Sequence, residues 1–83
     1  MNAYAQIITR RILSLCKQRG ITLYQLSAMS GVSHSTLNYI IHHKTANPQI
    51  KTLHKIATAF NMTLAELLDF EELNDYSLDD EVS

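Results

Sequence analysis

Residues 22–43, TLYQLSAMSGVSHSTLNYIIHH, constrain the fold more than any other stretch of this chain. Leu23 and Leu26 mark one apolar face, and Leu37, Ile40 and Ile41 mark another, both at helical spacing. Between them stands Gly31, where the backbone needs a residue that tolerates positive φ. Val32 follows as an apolar plug, and Ser33 is placed to cap the second helix at its N-terminus. Two short helices joined by so tight a turn predict a helix-turn-helix, the shape that presses a recognition helix into the major groove of DNA.

Around this pair the periodicity predicts three more helices and a tail. A first helix runs from residue 2 or 3 to residue 17 or 18, with Ala5, Ile8, Ile12 and Leu15 on one stripe and Arg19-Gly20 ending it. Thr22 and Gln25 form a capping-box pattern for the second helix, and the third spans about residues 33–41. Asn47-Pro48 reads as an N-cap followed by proline at the first helical position, opening a fourth helix with Leu53, Ile56, Ala57 and Phe60 inward. Thr63 and Glu66 form a second capping box, starting a fifth helix whose Leu64, Leu67 and Leu68 cover the bundle. Two readings fit the residues after Leu68: disorder, or an extension of the fifth helix through Phe70 and Leu73.

The net charge of −1 conceals a division. Residues 1–68 hold all seven basic side chains against one acid, Glu66, a balance of +6. Residues 69–83, DFEELNDYSLDDEVS, hold seven acids and no base. A polyanion therefore meets a basic body and an acidic appendix. Eighty-three residues allow one domain with a small core of marginal stability, which is compatible with a dimer. One cysteine leaves no intramolecular disulfide framework and fits a reducing compartment. Apolar runs fall well short of the roughly 20 residues that span a membrane, and a secretory h-region is lacking at the N-terminus. The expectation is a soluble, cytoplasmic protein.

Residues 7–68 resemble the lambda-repressor/Cro-like (Xre-type) helix-turn-helix family. The resemblance lies in RGIT after the first helix, LS-x-x-SGVS-x-x-x-L across the turn, the Asn47-Pro48 step, and LHKIATAFNMTLAELL as the closing helix pair. It implies an all-α, five-helix DNA-binding domain over residues 1–68, with residues 69–83 as a short acidic tail, and double-stranded DNA bound by a homodimer on a two-fold-related site. It further implies that Ser33, His34, Ser35, Asn38 and Tyr39 on the third helix read base edges. Their chemistry agrees, since asparagine pairs bidentately with adenine while histidine and serine donate or accept. Phosphate contacts fall by the same resemblance on Thr22, Lys44, Thr45, Asn47 and Lys51, with Arg10 and Arg11 adding to the field or simply solvated.

Four positions depart from the family pattern. Leu23 stands where many relatives carry a phosphate-binding glutamine, leaving Tyr24 or Gln25 to substitute. Cys16 and Ile41 replace a common arginine–glutamate pair. Stranding one such charge costs roughly 3–5 kcal/mol, whereas replacing both is neutral, so Cys16 is expected to pack near Ile41. His43 takes the place of a glycine that commonly ends the third helix, which predicts a positive φ there.

Enzymatic chemistry finds no footing. The histidines (His34, His42, His43 and His54) lack metal-ligand spacing, and no phosphate-cradling loop or nucleophile–base set is present. No metal or cofactor is expected, and Met29 and Met62 read as core filler. The leading expectation is a sequence-specific transcriptional regulator, with Leu64 and Phe70 as dimer-interface candidates. The rival is an antitoxin or anti-regulator whose acidic tail binds a protein partner, or folds back over the basic face.

Overall fold

In the computed structural model, residues 3–43 and 47–78 are described. Their helices are α1 (Ala3–Arg19), α2 (Leu23–Ser30), α3 (His34–His42), α4 (Ile50–Ala59), α5 (Leu64–Leu68) and α6 (Glu71–Asn74), and among the described residues there is no strand. The five expected helices are joined by a sixth.

Each helix end has a local cause. The α1 terminus is a Schellman motif: Gly20 at φ 65°, its N–H on the Lys17 carbonyl, and the Ile21 N–H on that of Cys16. The same arrangement closes α4 around Asn61, a non-glycine residue at φ 58°, with the Met62 N–H on the Ala57 carbonyl. Both capping boxes form. The Thr22 and Thr63 hydroxyls accept from the Gln25 and Glu66 amides at 3.1 and 3.0 Å, and both side chains return the contact at 2.8 Å.

The expected start of α4 is corrected. Asn47 is not the N-cap and Pro48 is not in the helix; Gln49, extended at φ −71° and ψ 152°, precedes Ile50 and makes no side-chain cap. Pro48, Gln49 and Thr52 line one groove with Thr36, Tyr39 and Ile40 of α3, and with Gln49 extended the helical turn begins only at Ile50. His43 also differs from expectation. It leaves α3 extended at φ −108°, so no left-handed residue is required there.

Ile12, Leu26, Leu37, Ile56, Phe60 and Leu67 are the largest fully buried side chains, drawing α1 to α5 onto one core. Cys16 belongs to this core. Ile41 is half-buried outside it, in a shallow groove with Thr9 and Leu13, so the expected Cys16–Ile41 packing is not what compensates the lost ion pair. Cys16 finds its apolar surroundings in the core, while Ile41 sits beside Leu13 and Ile40 in a groove otherwise lined by polar side chains. Met62 packs against the core, but Met29 is 54% exposed and is not filler, lying at the open rim of a groove it shares with Lys51, His54 and Lys55 of α4.

Beyond α5 the chain breaks at Asp69-Phe70 and starts again as α6, which packs on α1. Leu73 lies against the core, Glu72 pairs with Arg10, and Tyr76 meets the edge of Tyr4 at 5.8 Å. Arg11 donates to the Leu67 and Glu66 carbonyls at 3.1 and 3.2 Å and lies 5.0 Å from the Phe70 ring centroid. The first half of the acidic segment is thus fastened to α1.

Candidate nucleic-acid interface

The turn between α2 and α3 is locked from both sides. The Ser27 hydroxyl donates to the Val32 carbonyl at 2.7 Å, and the Ser30 hydroxyl accepts from the Val32 N–H at 3.1 Å. Gly31 at φ 75° lets its N–H reach the Ser27 carbonyl, and Val32 is buried beneath the turn. With Leu26 and Leu37 buried between the helices, α3 is held rigidly on α2.

That rigidity fixes which side chains α3 presents. Ser35, Asn38, Tyr39 and His42 follow one another at i, i+3, i+4 and i+7 on a single exposed stripe, which His43 continues. Tyr39 is 54% exposed, and its ring stacks on His43 with centroids 4.2 Å apart. His34 sits half-buried at the first turn of α3, against Tyr24 of α2 at 4.5 Å. Ser33 differs from the others. Its hydroxyl accepts from the Thr36 N–H and donates to the Thr36 hydroxyl, so it serves the cap first.

The expected phosphate-binding set separates. Thr22 caps α2 beside its exposed N-terminal turn, with a hydroxyl hydrogen left to donate. Asn47 lies next to Thr36 and Tyr39, close to the stripe. Lys51 does not join them; with His54 and Lys55 it lines a groove against Met29 and Ser30. Lys44 and Thr45 lie outside the described residues. As for the substitutes at the Leu23 position, Leu23 packs on the core, Gln25 Oε1 is taken by the Thr22 N–H, and Tyr24 is 72% exposed.

Sequence reasoning missed Tyr24 as a neighbour of His34, and His42 and His43 as part of the α3 stripe. The second pair carried a signal: both continue the helical spacing of Asn38 and Tyr39. The Tyr24–His34 contact carried none, because it joins two helices. Of the residues expected at a dimer surface, Leu64 is half-buried against the core and Phe70 is half-buried beneath Arg11.

The remaining chemistry is sparse. Burial raises the Cys16 thiol, and hydrogen bonds from the Thr63 amide and hydroxyl hold the Glu66 carboxyl below its usual range. Among the described residues no group of three histidines, cysteines or acids is placed to hold a metal, and no helix is long and apolar enough to cross a membrane.

Residues 11–72 match the Cro/C1-type HTH DNA-binding domain. The chain is 31% identical over 70 residues to the HTH-type transcriptional regulator SinR of Bacillus subtilis, covering 84% of this chain and 63% of that protein. Against SlrR of the same organism the identity is 34% over 67 residues, 81% of this chain and 44% of that protein. Among solved structures, a SinR protein/SinI protein complex aligns with a TM-score of 0.67 at 29% identity, covering 87% of this chain and 69% of that one. The chain spans less than two thirds of the length of these curated relatives.

Proposed function

Because the chain belongs to the Cro/C1-type helix-turn-helix DNA-binding family, we propose that it is a sequence-specific transcriptional regulator acting in the cytoplasm. The observation that carries the reading is the exposed stripe of Ser35, Asn38, Tyr39 and His42 on a helix locked to its scaffold by the Ser27–Val32 turn. Asn38 reads adenine, Ser35 and His34 read adjoining base edges, and Tyr39 meets a thymine methyl or a phosphate. Ser33 contributes by capping the helix that carries them. Thr22, Lys44, Thr45 and Asn47 anchor the flanking phosphates, with Lys51 a marginal member of that set. Two copies bind as a dimer, their recognition helices about 34 Å apart along one face of the duplex. The division into a DNA-binding body of residues 1–68 and an acidic segment of residues 69–83 is part of this proposal, and none of the roles assigned requires catalysis.

One observation favours a second reading, a protein-binding module acting through the acidic segment: the solved relative is a complex of two proteins. Against it, Phe70, Glu72 and Leu73 are already engaged on their own body. Titrating the intact protein against a pool of random duplexes by anisotropy at several salt concentrations, then sequencing the retained DNA, separates the two. The regulator gives salt-sensitive binding and an enriched, two-fold-related motif. Failure to retain any duplex would favour the protein-binding reading.

A further inference from the structure

We infer that Tyr24 is a positioning residue for sequence reading, its ring on α2 fixing the imidazole of His34 and so setting the preference at the base pair His34 meets. This inference rests on the proposed DNA-binding function.

Tyr24 is 72% exposed, so core burial does not explain its place. Its neighbour Leu23 turns onto the core, and the helical step of about 100° per residue swings Tyr24 outward. There it meets the start of α3: the two rings lie with centroids 4.5 Å apart and planes 32° apart. His34 is the first residue of α3, next to the Ser33 cap, where the N-terminal turn of a recognition helix meets base edges. The locked turn delivers the Tyr24 ring to that point at fixed geometry.

An imidazole on a helix surface samples several rotamers, with a broad χ2. A tyrosine ring 4.5 Å away at a 32° tilt restricts that freedom and favours one presentation of the imidazole edge. The ordering cost is then met before DNA arrives, and the correct base pair benefits most, since it alone uses the fixed edge. Ordering one such side chain corresponds to roughly a three- to tenfold change in binding.

The test measures relative affinities of the wild-type protein, Tyr24→Ala, Tyr24→Leu, Tyr24→Phe and His34→Ala across all single-base variants of the selected motif. Positioning predicts that Tyr24→Ala and Tyr24→Leu lose about three- to tenfold of preference at one base pair. That pair is also the one relaxed by His34→Ala, and adding Tyr24→Ala to His34→Ala relaxes it no further. Tyr24→Phe retains the preference, and melting temperatures change little because the ring is exposed. A uniform loss across all variants, or a Tyr24→Phe protein as impaired as Tyr24→Ala, overturns the inference and leaves DNA reading intact. Absence of any motif for the wild-type protein removes both.

Discussion

Replacing Arg11 by methionine should destabilise this small domain more than its position on a helix surface suggests. The guanidinium donates to the Leu67 carbonyl at 3.1 Å in a half-buried setting and to the Glu66 carbonyl at 3.2 Å near solvent. Both acceptors belong to the C-terminal turn of α5, where the Glu66 carbonyl also accepts from the Asp69 N–H at 3.3 Å and intrahelical donors run out. A charge-assisted hydrogen bond contributes roughly 1.5–3 kcal/mol when shielded, and solvent screening brings this pair to about 1.5 kcal/mol together. The Phe70 ring 5.0 Å away adds about 0.5 kcal/mol, so the loss approaches 2 kcal/mol. Methionine keeps the apolar stem and isolates the polar terms. In a domain of this size that loss lowers the melting temperature by roughly 8–16 °C. Thermal and urea unfolding followed by circular dichroism measure it, with Arg10→Met as the internal comparison. Arg10 makes an ion pair with Glu72 whose side chains are 56% and 50% exposed, which contributes about 0.5 kcal/mol or less. Equal losses in the two variants would refute the reasoning.

Other consequences arise from the same geometry. Ser27→Ala leaves the Val32 carbonyl without its donor beneath the turn and should cost about 1–2 kcal/mol, read as a lower urea midpoint at unchanged slope. The Cys16 thiol, buried and raised in pKa, should label far more slowly in the folded protein than in urea at neutral pH. Its contribution to stability is present below the unfolded thiol pKa and declines as pH rises toward the folded value. Glu66 behaves oppositely. Its lowered pKa gives stability above the unfolded carboxylate value of about 4.3 that is lost as pH falls through the folded one. Glu66→Gln retains the capping box and should flatten that acidic limb of the stability profile; an unchanged limb would contradict the assignment.

The range of each interaction decides how much of the fold and site is legible in the sequence. Capping boxes act over three residues, so Thr22–Gln25 and Thr63–Glu66 are visible as patterns before any fold is known. The Gly31 turn and the buried positions of α1 and α4 are equally local, being written in spacing. The start of α4 is not: Gln49 is extended where the connection faces α3 across a shared groove, and the local cap signal at Asn47 is not used. Arg11 illustrates the same limit. Its partners stand 55 and 56 residues away, and nothing in an arginine beside another arginine announces them. In the candidate site, the stripe from Ser35 to Tyr39 is legible through helical period, whereas the Tyr24–His34 contact depends on the angle at which α2 meets α3.

The central claim is that the exposed face of α3 reads DNA. Backbone and side-chain NMR resonances of the protein, followed during titration with its selected duplex, test that claim residue by residue. The largest perturbations are expected on His34, Ser35, Asn38 and Tyr39, with Thr22 and Asn47 at the border and the α1–α6 surface unmoved. Perturbations centred on α6 or on the outer face of α4, with the α3 stripe silent, would contradict it.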